Sequence, residues 1–513
     1  MENALRAKKS RVFGIVASII VVTIGLAISS ASAQSQSRSF YVDAAAGNDS
    51  NSGANPTSAW RTVAKVNGLA FTPGDTVYFK RGGVWRETIE PSRGGAQGRP
   101  VTFTAYGDGP RPVINGSDVI TGWTRGESAI FVAQSKKPGN VYVDGTPGWG
   151  LLHACCPAGS NCIPSRFCGI GPMREGSWFW NPASNELSIW LPDGGDPNTH
   201  LIEAATRPWG MHVVADAGEK SNIVIDGITF ERTAGGGLYF YSNDQGGVGS
   251  TGIVVRNCTV TQVGTGLVDD GSYFNGIHYS QDHPLPTAPI YEHNRISYTG
   301  NHGNSINSQA ADNAQILDNE CTLFNHHGVD VKQSRGVLIR SNIVHDSGER
   351  GVYESNGIFE EYCHDTLITN NLVYNMLGAT IPGTGSGIQI DVDSTGARIV
   401  NNSIFNVLTG LYLIHPATVQ YNAVYNAAHA VLDAKQGGDI AHNVWGPDPT
   451  FFVANQRFDA QGWQMAGHSD LIADPMWRDP RHGDFTFDPS SPLIAAHAGI
   501  TTPLHPTLND PPE

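Results

Sequence analysis

An asparagine-containing unit recurs through the second half of this 513-residue chain and constrains its fold more than any other feature. In each unit an asparagine precedes a short strand-like stretch and a turn, after which a glycine introduces alternating apolar residues. Successive asparagines are 20 to 37 residues apart, and they are Asn257, Asn294, Asn319, Asn342, Asn371, Asn402, Asn422 and Asn443. Such periods, with β-branched residues and no helical pattern, are typical of a β-solenoid. The repeat therefore predicts an all-β chain, a parallel β-helix in which each unit forms one coil of three short strands.

The recurring asparagine also predicts how neighbouring coils are held together. Coils stack at the strand-pairing distance of about 4.8 Å, so an asparagine at a turn can hydrogen-bond to its counterparts above and below. The longer repeat intervals indicate loops inserted on one side of the solenoid, which is commonly the binding side.

Composition narrows the class of protein further. Gly 60 and Pro 30 follow no G-x-y period, which excludes collagen, and a hydrophobic content of 40% is sufficient for a sizeable core. Lys+Arg 32 against Asp+Glu 47 gives a formal charge of −15, with no basic stripe to offset it. We therefore expect no nucleic-acid partner, and we expect a monomer.

Residues 1–33 have the three parts of a secretory signal. A basic stretch comes first, formed by Arg6, Lys8, Lys9 and Arg11. The apolar run 14–28 follows, and Ala31-Ser32-Ala33 supplies a small-residue cleavage site before Gln34. The alternative is an uncleaved membrane anchor, but the run is short for a span and no later stretch is apolar enough for one. We expect a secreted or periplasmic protein that has no membrane contact after signal cleavage.

The seven cysteines fit an oxidising compartment, and they fall into two groups. One loop contains Cys155, Cys156, Cys162 and Cys168. Because adjacent Cys155 and Cys156 do not readily bond to each other, we expect two disulfide bonds from them to Cys162 and Cys168. A zinc site is the alternative, although the loop lacks a C-x-x-C pair. The repeats contain the other three, which we expect to be small core residues: Cys258, Cys321 and Cys363.

Residues 117–208 interrupt the repeat with antiparallel strand and turn signals, such as Gly176-Ser-Trp-Phe-Trp. They predict a small inserted β module, whose tryptophans form either a sugar platform or an ordinary aromatic core. The expected organisation is a signal peptide (1–33), an N-terminal cap and first coils (34–116), the module (117–208), the main β-helix (209–446), and a C-terminal cap and tail (447–513).

Several motifs along the mature chain resemble one family of proteins. They are Phe40-Tyr-Val-Asp, Pro73-Gly-Asp-Thr-Val-Tyr-Phe, Ile223-Val-Ile-Asp-Gly-Ile-Thr-Phe, Asp474-Pro475 and Ser491-Pro492. The chain resembles secreted right-handed parallel β-helix proteins that act on carbohydrates, notably polysaccharide lyases and some glycoside hydrolases. The resemblance implies a right-handed helix and a polysaccharide substrate. It implies no single reaction, because this architecture carries several chemistries.

The glycine-led strands predict which side chains face solvent. Alternate positions of a strand share a face, so the first and third positions after the glycine, mostly apolar, should point inward. The second position then forms an outward column of Tyr239, His278, Ser305, Asp330, Phe359, Gln389 and Tyr412. The fourth position forms a column of Tyr241, Ser280, Asn307, Lys332, Glu361, Asp391 and Ile414. A polar island with aromatic flanks suits an extended carbohydrate chain, although a plain solvent-facing sheet can also be polar.

Two strands break this alternation. Glu360 falls on the inward face, so its coil could bulge and present Phe359 inside instead. Asn304 also points inward, where it could belong to an inner ladder. Bulges often re-aim active side chains, so either exception could mark the site.

Lys332 is the first candidate for catalysis. In β-elimination from a uronate polymer, a base removes the proton next to a carboxylate that a cation must neutralise. We expect Lys332 between Asn307 and Glu361, and beside Asp330. The Gly328-x-x-x-Lys332 spacing is similar to that around the lysine base of a Ca²⁺-dependent pectate-lyase-like family, although His327 stands where an acidic residue is expected. An ion pair between Lys332 and Glu361 is the structural alternative.

Calcium is the expected cofactor of such a reaction. Asp391 and Asp393 alternate along the sequence, so in a strand they would share one face and could hold Ca²⁺. Asp269 and Asp270, in the longest repeat, form a second candidate pair.

Hydrolysis by two carboxylates is the alternative chemistry. Glu361 and Asp391 on adjacent coils suit a retaining pair, whereas Asp330 and Glu361 lie diagonally and suit an inverting pair. The catalytic candidates of the two chemistries are Asp330, Lys332, Glu361 and Asp391.

The expected substrate-binding residues surround these candidates, and they are His278, Asn307, His327, Arg340 and Gln389. Arg340 and Arg350 could clamp a substrate carboxylate. Turn histidines could serve as acid or base, or be structural: His302, His326, His327 and His345. The sequence thus predicts cleavage of an acidic polysaccharide by elimination, with hydrolysis second and non-catalytic glycan binding third. The negative net charge opposes a polyanionic substrate unless Ca²⁺ or Lys332 and Arg340 supply local positive charge.

Overall fold

A computed structural model describes residues 36–500 and 504, except residues 147, 149, 155–170, 216–218, 244–248, 265–274, 286, 301–302, 348–354, 377–384 and 434–437. From Ser37 onward the chain forms one compact unit. Parallel strands of this unit stack coil upon coil and form three faces of a solenoid. The predicted domain boundaries stay predictions.

The first face is a separate 12-stranded sheet. Its strands are Ser39–Val42, Thr76–Lys80, Val101–Tyr106, Ile223–Asp226, Val254–Arg256, Ile290–Glu292, Gln315–Leu317, Leu338–Arg340, Leu367–Thr369, Ala397–Val400, Ala417–Gln420 and Asp439–Ala441.

The second and third faces belong to one sheet, because two 11-residue strands, Ser403–Leu413 and Ala423–Asp433, run through both. The other strands of the second face are Val84–Trp85, Val113–Asn115, Thr229–Glu231, Thr259–Val263, Arg295–Thr299, Glu320–Phe324, Ile343–Ser347, Leu372–Met376, Val444–Trp445 and Leu471–Ile472. Those of the third face are Met211–Ala215, Leu238–Ser242, Ile277–Gln281, Ile306–Gln309, His327–Lys332, Asn356–Glu361, Ser386–Ile390 and Phe451–Val453, with Gln456–Phe458 paired antiparallel at its end.

One apolar core runs along the inside of the three faces. Each strand alternates, so Val329, Ile358 and Ile388 are fully buried and pair in register from coil to coil. The parallel β-helix predicted from the repeat is therefore confirmed. Cys258, Cys321 and Cys363 are buried free thiols in or beside this core, as expected, whereas the four cysteines of the predicted disulfide loop lie outside the described residues.

A buried ladder of asparagine side chains joins successive coils, and we call it the asparagine ladder. It consists of Asn294, Asn319, Asn342, Asn371, Asn402, Asn422 and Asn443. Each amide Nδ2 donates to the next Oδ1, and the last donates to Asp470. Asn257 was expected to join the ladder, but the backbone of Cys258 takes that place and donates to Asn294. Asn257 instead lies in a left-handed turn and donates to Asp226.

Within residues 117–205 the described strands are mostly antiparallel, which agrees with the predicted module. One sheet contains Ser117–Ile120, Val141–Val143 and Ile202–Ala205, and the other contains Thr124–Arg125, Phe131–Gln134, Leu152–His153, Ser177–Asn181 and Glu186–Trp190. Trp123 and Trp178 are buried in their common core, so these two tryptophans do not form a sugar platform. Glu203 is buried and pairs with Arg86 and Arg232, which ties these strands to the coils.

Short helices and a C-terminal segment complete the fold. The helices are Val63–Asn67, Ala460–Met465 and Pro492–Ala496, with 3₁₀ turns at Pro56–Ser58, Pro197–Thr199 and Pro480–His482. The hairpin Trp477–Asp479 and Asp484–Phe487 packs with Leu493 against aromatic residues of the second face. Among the described residues, no helix is long and apolar enough to cross a membrane.

Candidate functional site

The outward columns of the third face converge on a polar centre in its middle coils. Asp330 pairs with Asn307 on one side and with Phe359 on the other. Lys332 pairs with Glu361, as the sequence predicted. The predicted placement of Asn307 beside Lys332 was wrong. The strand that contains Asn307 begins two residues farther from its glycine than the neighbouring strands do. Asn307 therefore lies next to Asp330, and Gln309 occupies the position next to Lys332.

Asp330 is a buried carboxyl group at the centre of this face, with 1% of the residue exposed. Its Oδ2 accepts hydrogen bonds from Asn304 Nδ2 at 2.7 Å and from Asn307 Nδ2 at 2.9 Å. Its Oδ1 has no hydrogen-bond partner among the described residues. Burial raises the pKa of Asp330 to about 6, against the lowering effect of Lys332 and the two amides. The group can therefore hold a proton near neutral pH.

Lys332 lies between two carboxyl groups. Its Nζ is 3.8 Å from Asp330 Oδ2 and 3.3 Å from Glu361 Oε2, and it also lies 5.3 Å from the centre of the Phe359 ring. A quarter of the side chains of Lys332 and Glu361 is exposed, so both can reach a molecule bound on the face. One ammonium group thus joins a buried carboxyl to an accessible one.

The start of each third-face strand carries a second buried polar column, which we call the interrupted ladder. Its members are Asn275, Asn304, His327, Asn356 and Ser386. Its bonds run opposite to those of the asparagine ladder, where Asn294 N donates to Oδ1 of Asn319 on the next coil. Here Asn304 N donates to Asn275 Oδ1, and His327 N donates to Asn304 Oδ1, each on the preceding coil. His327 has no amide to continue the pattern, so Asn356 N donates to the backbone oxygen of His326 instead.

The asparagine side-chain amides of this column bond to residues outside it. Asn304 Nδ2 turns to Asp330, while its Oδ1 also accepts from His326 Nδ1 at 2.9 Å. His327 is buried against the Phe359 ring, 4.4 Å between ring centres, and burial lowers its pKa well below the usual range. His327 is therefore neutral, and it packs against Phe359 rather than serving as an acid. The sequence marked Asn304 as an exception to the alternation but did not connect it with Asp330.

Glu360 is the other exception to the alternation, and no bulge accommodates it. The register continues from Val331 through Glu360 to Ile390, and Phe359 stays on the outward face. Glu360 is fully buried inside the coil, where burial raises its pKa to about 7, partly offset by the hydroxyls of Thr366 and Ser394. It faces the interior and not the outward columns.

Aromatic and histidine rings flank the centre on the side of the earlier coils. Tyr239 stacks on Trp209 with centres 4.5 Å apart and on His278 at 4.9 Å. Because the rings stack on one another, they offer edges rather than faces to a bound sugar. His278 is partly buried, and desolvation lowers its pKa to about 4, while its two nitrogens contact Asn275 and Ser280. His278 lies at this end of the face, and its binding role stays a prediction.

The other predicted site residues lie either on different faces or farther along the outward column. Arg340 was expected to clamp substrate, but it lies exposed on the first face, because its strand belongs to the other sheet. Gln389 does lie in the column beyond Phe359, where it donates to Asp391 Oδ2 at 2.8 Å. His345 lies on the second face with Glu320 and Asp346.

The predicted calcium pair does not form as expected. Strand Ser386–Ile390 ends before Asp391, and Asp393 lies in a left-handed turn with its side chain mostly exposed. The two aspartates therefore do not alternate on one strand face. No group of three or more His, Cys, Asp or Glu side chains that could hold a metal occurs in the described part of the chain. Asp269, Asp270, His302 and Arg350 lie outside the described residues.

The centre combines the parts that acid–base chemistry on a glycosidic bond requires. Asp330 can donate a proton, Glu361 supplies an accessible carboxylate, and Lys332 places positive charge between them. Because a single ammonium group touches both carboxyl groups, they lie close enough to act on the same bond.

Comparison with known proteins agrees with this architecture. A family model described as a right handed beta helix region matches residues 290–444. The structure of XylC in complex with xylose matches with a TM-score of 0.52 at 14% identity, over 86% of this chain and 87% of that one. A structure described as a glycoside hydrolase gives a TM-score of 0.50 at 11% identity, over 88% of this chain and 99% of that one. These structures confirm the right-handed parallel β-helix.

A curated relative is the lacto-N-biosidase of Bifidobacterium longum subsp. longum, which is 23% identical over 454 residues. The match covers 80% of this chain and 27% of the relative, so the chain spans about a quarter of the length of the curated relative it matches. The predicted resemblance to β-helix proteins that act on carbohydrates is confirmed.

Proposed function

We propose that this right-handed β-helix protein is a carbohydrate-active enzyme that cleaves glycosidic bonds by hydrolysis at Asp330 and Glu361. The observation that carries the proposal is the buried Asp330 carboxyl, whose pKa is raised to about 6 beside an accessible Glu361 that shares its lysine. The names of the lacto-N-biosidase relative and of the glycoside hydrolase structure support carbohydrate cleavage as the class of reaction.

The two carboxyl groups have different roles in this mechanism. Asp330 is the general acid, since its pKa lets it carry a proton that it gives to the oxygen of the leaving sugar. We assign the proton to its Oδ1, which has no hydrogen-bond partner among the described residues. Glu361, which lies 3.3 Å from Lys332 Nζ, either activates water or attacks the sugar carbon, and the anomer of the product distinguishes the two.

Elimination with Lys332 as the base is the second candidate, and the observation that favours it is the outward, accessible position of Lys332 beside Glu361. It is the weaker candidate because Lys332 Nζ already lies against the carboxyl groups of Asp330 and Glu361. It would also require a uronate substrate. Since Asp391 and Asp393 do not fit a calcium site, no step is assigned to calcium.

The two reactions give different products, and one experiment separates them. The protein is incubated with pectate, alginate, glycosaminoglycans and neutral glycans, and both reducing ends and ultraviolet absorbance of unsaturated products are followed. We expect reducing ends without absorbance, and their loss in Asp330→Asn but not in Asp439→Asn, a matched exposed aspartate on the first face. Absorbance that rises with reducing ends and falls with a chelator would establish a Ca²⁺-dependent lyase and overturn the proposal.

We also propose that the protein is exported, on the strength of its N-terminal signal pattern. N-terminal sequencing of the protein recovered outside the cytoplasm should begin at Gln34. A chain that keeps Met1 and stays with the cell membrane would show instead that residues 1–33 form an anchor.

A further inference from the structure

A cavity of about 350 Å³ opens beside the site, at the turn that ends the third face. Its lining consists of Asp282, His283, Pro284, Gln333, Ser334, Arg335, Tyr362 and His364. The cavity is not part of the acid–base centre described above. Its volume lies within the usual range of small-molecule sites, about 300–1,000 Å³, and suits a single sugar unit.

The cavity is directly connected to the catalytic strands. Gln333 follows Lys332 in the chain, and Tyr362 follows Glu361, so two of its walls are the next residues after the centre. Gln309 also donates to Gln333 at 3.1 Å. A glycan whose bond lies at Asp330 and Glu361 can therefore place a neighbouring sugar unit in this cavity.

The lining contains one guanidinium group and one carboxyl group. Arg335 is the cation of the lining, it is exposed, and its guanidinium makes no ion pair with a described residue. Its backbone is held in place by Asp312 Oδ1 at 2.7 Å. The one carboxylate of the lining, Asp282, already accepts a hydrogen bond from Tyr241 Oη at 2.6 Å. The guanidinium can therefore bind an incoming carboxylate with two parallel hydrogen bonds.

The remaining lining suits the ring of a sugar. Tyr362 is 43% exposed, which is unusual for an aromatic side chain, and together with Pro284 it gives the cavity an apolar wall. Aromatic rings bind the C–H face of a pyranose, while His283, His364 and Gln333 can bond to its hydroxyls.

From these contacts we infer that the cavity is a subsite for a hexuronate unit, with Arg335 bound to its carboxylate and Tyr362 against its ring. The inference rests on the proposed function, because it names the substrate class of that same site. It makes Arg335 the residue that determines specificity for an acidic glycan.

Direct binding to an inactive enzyme tests this inference. Isothermal titration of Asp330→Asn protein uses oligogalacturonate and glucuronate-containing oligosaccharides, each beside its carboxyl-reduced counterpart. We expect an acidic ligand to bind at least tenfold more tightly than its reduced counterpart. Adding Arg335→Gln should remove that preference, whereas adding Arg398→Gln, an exposed arginine on the first face, should leave it intact.

A second variant separates ring contact from charge. Tyr362 has a φ of 55°, so asparagine, which tolerates this conformation, is the suitable replacement. Tyr362→Asn should weaken acidic and reduced ligands by the same factor. In active protein, Arg335→Gln should raise KM more than it lowers kcat.

The outcomes distinguish the two proposals. Equal affinity for acidic and reduced ligands, or equal effects of Arg335→Gln and Arg398→Gln, would overturn the subsite while leaving hydrolysis at Asp330 intact. Preferential, Arg335-dependent binding in a protein whose wild type cleaves none of these glycans would support the subsite and overturn the proposed function.

Discussion

The asparagine ladder and the interrupted ladder both bond backbone N–H groups to asparagine Oδ1 atoms of a neighbouring coil, but they use their side-chain amides differently. In the first, each amide of Asn342 or Asn371 donates both to the next asparagine and to backbone oxygens, so all its capacity holds coils together. In the second, Asn275 and Asn304 turn their amides to His278 and Asp330. Buried asparagines thus hold coils together in one column, and in the other they bond to side chains of the proposed site.

The largest expected effect concerns the carboxyl group that the interrupted ladder supports. Asp330→Asn keeps the size and hydrogen-bonding capacity of the side chain but cannot donate a catalytic proton. We expect kcat to fall by about 10²–10⁴ on the glycan identified as substrate, with the melting temperature nearly unchanged. Full activity in a folded variant would remove Asp330 from the mechanism.

Replacing one asparagine with alanine in each ladder tests whether the two ladders have different roles. Asn304→Ala removes a hydrogen bond that lowers the pKa of Asp330, so that pKa should rise further above 6. For a general acid, kcat/KM falls as pH increases through this pKa. The falling limb, near pH 6 in wild type, should therefore move to higher pH in Asn304→Ala. A limb that stays in place would show that Asn304 has only a structural role.

Asn371→Ala is the matched variant in the asparagine ladder. It leaves the side-chain amide of Asn342 without its acceptor, Asn371 Oδ1. It also leaves the backbone oxygens of Ile339 and Thr369 without the donor Asn371 Nδ2. We expect a loss of about 2–4 kcal/mol in the free energy of unfolding, measured by chemical denaturation. The pH profile of the molecules that remain folded should match wild type. A shifted profile would mean that the two ladders are not functionally separate.

The last prediction concerns Glu360, which belongs to neither ladder and has no expected effect on activity. Its pKa is raised by burial from 4.5 to about 7, so its protonated form stabilises the fold fully below about pH 4.5. This contribution is lost as pH increases from about 4.5 to 7, and it amounts to about 3 kcal/mol. Glu360→Gln should flatten the decline of unfolding free energy over this interval without affecting product formation. An unchanged pH dependence of stability would show that Glu360 is ionised in the folded chain.

The sequence predicted the features of the fold that repeat, because each coil applies the same physical constraint. The asparagine positions, the inward and outward alternation, and the adjacency of Lys332 and Glu361 all follow from one spacing. Asn307 was placed in the wrong column, since its strand begins two residues later after the glycine than its neighbours. Alternation alone could not show that.

The missed residues belong to contacts between different parts of a coil. Asn304 precedes its strand, and its amide bonds to Asp330 on the next coil. Arg340 was assigned to the site as a clamp for a substrate carboxylate, yet the turn after Lys332 carries it to another face. Such contacts depend on the direction that the chain takes at each turn. The spacing of the repeats does not predict that direction.

Titration of the Asp330 carboxyl group is the most direct test of its proposed role as the general acid. In protein labelled with ¹³C at aspartate carboxyl carbons, the signal that disappears in Asp330→Asn identifies the group, and its chemical shift is followed from pH 3 to 8. If Asp330 is the general acid, we expect a midpoint near pH 6, and a higher midpoint in Asn304→Ala. A midpoint near 3.8, the ordinary value for aspartate, would show that Asp330 carries no proton near neutrality and would contradict its role as the acid.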